Sequence, residues 1–204
     1  PTWKRINKAE NWSTGDTYIM TIGQGYVLAT PLQVLVSFAI MANDGKYMQP
    51  TLIGDILDAE GNIVKAFEPT LVRDITKEPV IDILDENNKP TGEKKVVEPW
   101  VIQYAKEGMR QVVVAGTAED AMAGLEIPSA GKTGTAEYCD DVAQEKGLCQ
   151  RETWPFHAWY AGYAPFDDPE IVVVAFVYNG GEGASVAAPI VQRMLDTYFE
   201  LKTI

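Results

Sequence analysis

Three consecutive segments in the last part of the chain each have the composition of a β-strand. They cover residues 130–138, 157–163 and 170–178. The third contains the run IVVVAFVY, and an uninterrupted apolar run is typical of a strand covered on both faces. We therefore expect it in the middle of a covered sheet. The short connection APFDDPE before it favours an antiparallel pair, because a parallel crossover needs a dozen or more residues.

A strongly apolar helix is predicted well before these strands, in the stretch ATPLQVLVSFAIMANDG. Thr30 is a candidate N-cap, Pro31 fits the first helical position, and Gln33 completes a capping box. The helix is expected to end at Asn43, Asp44 and Gly45. Because the segment between holds only two polar residues, we expect it to be buried nearly all round.

Further helices are indicated in EPWVIQYAKEGMRQVV and in SVAAPIVQRMLDTYFELK. In the second, the spacing predicts an inward face made of Ile190, Met194, Leu195 and Tyr198. Thr117, followed three residues later by Asp120, is a candidate cap for a short helix. The order of elements predicts an α+β fold, with an antiparallel sheet packed between helices.

The region 47–97 has a different character from the rest of the chain. EGN lies between two apolar arms in LIGDILDAEGNIVKAF, and VIDILDENNKPTGEKKVV repeats the pattern with a more polar turn. Both patterns predict β-hairpins. We interpret 47–97 as an inserted β-hairpin region, within a chain 1–204 that otherwise forms part of one domain.

Composition excludes some functions. The chain has 204 residues and a formal net charge of −12, with no basic stripe to neutralise phosphates, so we expect no nucleic-acid partner. The two cysteines, Cys139 and Cys149, lie ten residues apart and do not match a zinc spacing. They are either free thiols or a disulfide that closes a loop. We predict no metal site and no cofactor.

The segment SAGKTGTAEY places Lys132, Thr133, Gly134 and Thr135 within the first predicted strand. Residues two apart on a strand share a face, so the two threonines point together and the lysine points to the other side. Gly134 leaves room for another backbone, as when a peptide adds itself to a sheet edge. Threonine hydroxyls can hold a carboxylate, and a backbone N–H can face a developing oxyanion.

These residues carry a family resemblance. Lys-Thr-Gly-Thr, followed by HAWYAGYAPFDDPEIVVVAFVYNGG, resembles the third active-site motif of penicillin-binding proteins. The upstream GDTYIMTIGQGYVLATPLQVL and the closing NGGEGASVAAPIVQRML are similar to class B members, nearest the elongation-type group. The resemblance implies a penicillin-binding protein/β-lactamase-like transpeptidase fold.

The resemblance also implies an activity. In the family, a serine attacks the D-Ala-D-Ala bond of a peptidoglycan stem peptide, the acyl group passes to an amine of a neighbouring stem, and β-lactam antibiotics acylate the same serine. By this match Lys132 orients the substrate, Thr133 and Thr135 bind its carboxylate beside Gly134, and the Thr135 backbone N–H forms half of the oxyanion hole. The family works on the extracytoplasmic face of the bacterial inner membrane, in the periplasm or cell envelope, where Cys139 and Cys149 can be joined.

The family's nucleophile motif, Ser-x-x-Lys, occurs in this sequence as Ser129-Ala-Gly-Lys132 alone. That motif works on a helix, where positions i and i+3 are neighbours, whereas here it overlaps a strand. We interpret it as a coincidence. The chain is therefore expected to be the C-terminal part of a transpeptidase domain, inactive alone. We expect its partner to be the N-terminal half of that domain, and its membrane anchor to be a segment absent from this chain.

Two other functions stay open on the sequence. A fold of this type could bind or sense peptidoglycan or β-lactams without turnover, or it could act as a β-lactamase with water as acyl acceptor. A Ser-x-x-Lys upstream in the parent would favour an enzyme. The lone histidine, His157, is predicted to be a hydrogen-bonded strand residue and not a catalytic base.

Overall fold

The computed structural model describes residues 2–87, 89–150 and 153–202. The helices are α1 Thr2–Lys8, α2 Thr14–Thr21, α3 Pro31–Ala42, α4 Pro99–Val114, α5 Glu119–Met122, α6 Asp141–Glu145 and α7 Ala188–Lys202, and a π-helix spans Gly183–Ala187. The strands are β1 Lys46–Met48, β2 Ile56–Leu57, β3 Ile63–Lys65, β4 Leu71–Asp74, β5 Ile81–Leu84, β6 Pro90–Lys95, β7 Ala130–Glu137, β8 Phe156–Ala164 and β9 Ile171–Val177. None of the helices in these described ranges combines the length and apolar character needed to cross a membrane.

The three predicted C-terminal strands form one antiparallel sheet in the order β7-β8-β9. The strands and their antiparallel pairing are confirmed, but the expected position of the most apolar strand is wrong. Among the described residues β9 is an edge strand, and β8 lies in the middle. The apolar composition of β9 is explained by helices, because α3 contacts one of its faces and α7 the other.

The core lies mainly between the sheet and α7. Tyr160 of β8, Val173 of β9 and Val191 and Leu195 of α7 belong to one buried cluster. On the opposite face, Ala42 at the end of α3 packs with Tyr163 of β8 in a second cluster. The predicted layer arrangement, a sheet between helices, is therefore present.

The start of α3 is as predicted, but its burial is not. Thr30 accepts a hydrogen bond from the Gln33 backbone, and the Gln33 side chain completes the capping box. Ala42 is the only residue of α3 in the buried class, and Leu32 is 58% exposed. One side of α3 packs on the sheet and α4, while the other side has no cover in the described part of the chain.

The inward face of α7 also differs from the prediction. Val191 and Leu195 are buried, whereas Ile190 and Met194 are exposed. Leu195 faces inward as predicted, but the buried stripe continues through Val191, four residues earlier, and not through Ile190 or Met194.

Both predicted hairpins are present, as the antiparallel pairs β2–β3 and β5–β6. The structure adds a third pair, β1–β4, which joins the end of the α3 turn to the hairpin region. That pair joins segments more than twenty residues apart and has no local turn signal in the sequence.

A buried lysine of α4 forms an ion pair with an aspartate in the turn that follows α3. Lys106 is 6% exposed, and its Nζ lies 2.7 Å from Oδ1 of Asp44. The hydrogen bond from Lys106 holds the pKa of Asp44 below its usual value. Asp44 therefore keeps its charge to lower pH in the folded state than in the unfolded state. Its contribution to the free energy of unfolding is present at pH values above its pKa in the unfolded chain, and it is lost as the pH falls through its pKa in the folded chain.

We expect Asp44→Asn in the full-length protein to lower stability at pH 7 by about 1 kcal/mol, a figure reduced for the exposure of this carboxylate. Thermal unfolding midpoints at pH 7 and pH 3 measure the effect. The difference in midpoint temperature between variant and parent should be smaller at pH 3 than at pH 7. A difference in midpoint temperature that is the same at both pH values would contradict stabilisation by the charged carboxylate of Asp44.

Candidate active site

Lys-Thr-Gly-Thr lies on β7, the other edge of the sheet. Thr133 pairs with Tyr160 and Thr135 with Ala158, so both threonines face the side of the sheet that packs on α7. Lys132 pairs with Ala161 and starts on the opposite face. The predicted alternation of these side chains is therefore present in the structure.

The hydroxyl of Thr133 meets a residue that the sequence did not assign to the site. Its Oγ1 lies 2.7 Å from Oγ1 of Thr117, and either atom can donate. The prediction that Thr117 caps α5 is wrong, because the N-cap of α5 is Ala118 and no side chain caps it. A hydroxyl partner sixteen residues away leaves no signal in a single sequence.

The hydroxyl of Thr135 accepts a hydrogen bond from the backbone N–H of Gly183, at 3.2 Å. Gly183 begins the π-helix, and a Cβ on it would collide with backbone atoms of Trp159 and Gly134. Glycine is therefore required where the π-helix meets the sheet. From the sequence, Gly180, Gly181 and Gly183 before the last helix predict only a turn, and nothing there indicates that Gly183 contacts the site.

The outer edge of β7 faces side chains instead of a further strand in the described residues. Gln24 Nε2 donates to the carbonyl of Thr135 at 3.4 Å, and Lys132 Nζ donates to the carbonyl of Thr133 at 2.8 Å. In an antiparallel sheet, the N–H and C=O of one residue point to the same neighbour. The N–H of Thr135 consequently points to this outer edge, together with its carbonyl.

Gly134 fits closely against the central strand. A Cβ at this position would lie 3.1 Å from the Cβ of Trp159, tighter than nearly all real contacts. The glycine is thus explained by packing on the sheet face, whatever approaches the outer edge.

Ser129 precedes β7 and is buried, with 1% of its surface exposed. Its carbonyl accepts a hydrogen bond from Arg110 Nη1 at 2.7 Å, while its Oγ has no partner among the described residues. The Ser129-x-x-Lys132 pattern enters a strand and is not on a helix. This geometry agrees with its interpretation as a coincidence.

His157 lies at the far end of β8 within an aromatic cluster. Its ring stacks on Tyr138, with centroids 3.6 Å apart, and its Nδ1 accepts the backbone N–H of Asn179 at 3.3 Å. Burial lowers the pKa of His157, and Asp140 opposes that shift. The histidine is a hydrogen-bonded strand residue, as predicted.

A disulfide joins Cys139 and Cys149, with Cα atoms 5.6 Å apart, across the loop that holds α6. The loop follows directly after β7. We expect intact-mass analysis of the unfolded, unreduced protein treated with a thiol reagent to find no free thiol at these positions. Cys139→Ser is expected to cost slightly less than the roughly 3 kcal/mol of a 15-residue loop. Two labelled thiols would show that no bridge forms.

An antiparallel sheet between helices carries Lys-Thr-Gly-Thr on its edge strand, an arrangement that agrees with the family resemblance seen in the sequence. The match to known families agrees. Residues 4–196 match the penicillin-binding protein transpeptidase domain model, and the chain belongs to this family.

The relatives are of the penicillin-binding protein 2 type. The chain is 37% identical to the peptidoglycan D,D-transpeptidase MrdA of Haemophilus influenzae, over 96% of this chain and 28% of that protein. It matches penicillin-binding protein 2 in a complex with MreC from Helicobacter pylori with a TM-score of 0.67 and 26% identity, over 100% of this chain and 31% of that one.

A third match is the ceftriaxone acyl-enzyme complex of penicillin-binding protein A from Mycobacterium tuberculosis. Its TM-score is 0.66 at 26% identity, over 90% of this chain and 35% of that one. The chain therefore spans about a third, or less, of the length of these proteins.

Proposed function

We propose that the protein containing this chain is a peptidoglycan D,D-transpeptidase of the bacterial cell envelope, and that this chain supplies one wall of its active site. One observation carries the proposal: two hydroxyls on one face of β7 are held by the scaffold beside a backbone N–H at the open edge. We call the hydroxyls of Thr133 and Thr135 the carboxylate clamp.

The clamp suits a terminal carboxylate. The Thr135 hydroxyl already accepts a bond from Gly183, so its own proton is free to be donated. The exposed ammonium of Lys132 adds positive charge at the same strand, in a chain whose net charge is −12. Hydrogen bonds to a charged group contribute more than neutral ones, so the clamp favours the charged end of a stem peptide.

The Thr135 N–H has a separate role in this proposal. It points to the outer edge of β7, where the carbonyl of a peptide bound along that edge would lie. There it donates to the oxyanion that forms when a serine outside this chain attacks. The serine displaces D-alanine, and the acyl group then passes to an amine of a second stem peptide, which regenerates the serine.

We propose further that 1–204 forms the C-terminal part of one transpeptidase domain, with 47–97 as an insertion. Large apolar side chains of α2, α3 and the segment between them are exposed in the described residues, among them Tyr18, Ile22, Leu28 and Leu32. The outer edge of β9 carries no strand there. Burying that surface against the N-terminal half of the domain would remove it from water.

The proposed ligands are the peptidoglycan stem peptide and β-lactam antibiotics. A related penicillin-binding protein forms a ceftriaxone acyl-enzyme, which supports the second class of ligand. The proposed location is the extracytoplasmic face of the inner membrane. The disulfide supports an oxidising compartment, since such bonds are rare where thiols are kept reduced.

The test uses the full-length protein with a stem pentapeptide ending in D-Ala-D-Ala, with and without an amine acceptor. Release of D-alanine together with an acceptor-linked product is the expected result. Release without transfer, and rapid turnover of benzylpenicillin, would favour the β-lactamase alternative. Binding of the pentapeptide with no release in either condition would favour a sensor module and overturn the proposal.

A further inference from the structure

Thr117 lies outside the Lys-Thr-Gly-Thr strand, in the turn between α4 and α5, yet its hydroxyl is bonded to that of Thr133 at 2.7 Å. A hydroxyl carries one proton and two acceptor positions. The bond between two hydroxyls uses one of their two protons. Whichever threonine donates, the pair retains a single O–H that can be offered to a ligand.

The turn that carries Thr117 is held firmly on both sides. The Ala118 N–H donates to the Val112 carbonyl at 3.0 Å, and the Glu119 N–H donates to the Gly116 carbonyl at 3.1 Å. Ala118 is fully buried in the main core cluster. Gly116 fits tightly, because a Cβ there would lie 2.8 Å from Cα of Val112. The Thr117 side chain is therefore presented from a fixed backbone.

Among the described residues, the Thr117 hydroxyl caps no helix, and the bond to Thr133 is the contact that accounts for it. The residue is exposed, and its side chain does not cap α5. An exposed hydrogen bond between two hydroxyls contributes little to stability, because water would satisfy both groups equally well. The bond instead holds the Thr133 hydroxyl oxygen at a fixed distance from that of Thr117 and leaves one proton of the pair for a ligand.

We propose that Thr117 is a positioning residue of the carboxylate clamp, holding the Thr133 hydroxyl so that the remaining proton of the pair points to the carboxylate of the bound peptide. The inference rests on the proposed function. It makes the two halves of the clamp alike: the Gly183 N–H donates to the Thr135 hydroxyl, and the Thr133 hydroxyl is paired with that of Thr117, whichever of the two donates. In both cases the scaffold leaves a donor for the ligand.

The experiment compares acylation of the full-length protein by benzylpenicillin and by its methyl ester, which lacks the carboxylate charge. Thr117→Val keeps the shape of the side chain and removes the hydroxyl. We expect the rate with benzylpenicillin to fall about 10-fold, and the rate with the ester to change less than about 2-fold. Thr117→Ser should restore the rate to within about 3-fold of the parent, because the hydroxyl returns.

Thr91→Val is the matched control, since the hydroxyl of Thr91 is also exposed and hydrogen-bonded: it donates to the Ile83 carbonyl at 3.0 Å and accepts from the Glu93 N–H at 3.2 Å, in the hairpin region. It should leave both rates unchanged. In a Thr133→Val background, Thr117→Val should have no further effect on the acid-to-ester ratio, because the residue it positions is gone. The comparison in the Thr133→Val background remains informative even if the Thr117→Val single variant folds poorly.

The outcomes separate this inference from the function it rests on. If Thr135→Val lowers the acid-to-ester ratio and Thr117→Val does not, the clamp stands and the role of Thr117 is overturned. Equal slowing of acid and ester by Thr117→Val would also overturn it, since that pattern indicates a general structural effect. If neither variant changes the ratio, the carboxylate assignment itself fails, and the inference fails with it.

Discussion

Thr135→Val in the full-length protein is expected to slow acylation by benzylpenicillin about 10- to 100-fold, with a smaller effect on the methyl ester. The range corresponds to the roughly 1.5–3 kcal/mol of a hydrogen bond to a charged group. Thr135 faces the same side of β7 as Thr133, and its hydroxyl proton is not used by the scaffold. Stopped-flow or quenched labelling gives the second-order rate constant.

Two matched variants sharpen this test. Thr135→Ser keeps the hydroxyl that accepts from Gly183 and should recover most of the rate. Ser129→Ala removes a hydroxyl that is buried and unpartnered in the described residues, so acylation should stay close to that of the parent. A larger loss at Ser129 than at Thr135 would invert the assignment of these two residues.

The parts of the fold that follow from local patterns were predictable. The capping box of α3 is local, since Thr30, Pro31 and Gln33 lie within four residues and form the start that their chemistry predicts. The two hairpins and the β8–β9 pair are equally local, because each joins neighbouring strands through a short turn. In each case one short segment contains the whole signal.

The errors arise where distant segments meet. The apolar run of β9 was assigned to the middle of the sheet, but helices on both faces account for it while its edge stays unpaired in the described chain. A full covering of α3 was expected from its composition, whereas Leu32 on its outer side is exposed. An apolar composition indicates that a strand or helix packs against other parts of the protein, but it does not identify which parts those are.

The candidate site divides in the same way. The motif alone predicts that Thr133 and Thr135 share one face of a strand and that Lys132 points to the other, because side chains alternate along a strand. The groups that hold the two hydroxyls, Thr117 and the N–H of Gly183, come from sixteen and forty-eight residues away. A hydrogen bond between such positions depends on tertiary packing and has no local pattern.

The 204-residue chain purified by itself is expected to form no covalent adduct with a fluorescent penicillin. Acylation requires a nucleophile, a base and oxyanion donors within reach of one carbonyl. The chain's one Ser-x-x-Lys match begins at Ser129, whose side chain is buried at the entry to β7 and whose Oγ has no basic partner in the described residues. Intact-mass analysis after incubation gives the result, with the full-length protein as the labelled reference.

A misfolded chain would also fail to react with the penicillin, so a second measurement must test how the chain behaves in solution. The exposed apolar residues of α2 and α3 and the open edge of β9 are expected to drive self-association, which light scattering measures. Co-expression with the remaining part of the domain as a separate chain should suppress that association and restore labelling on a serine of the added chain. A mass increase on any residue of the 204-residue chain alone, at Ser129 first of all, would overturn the assignment, because the nucleophile would then lie within this wall of the site.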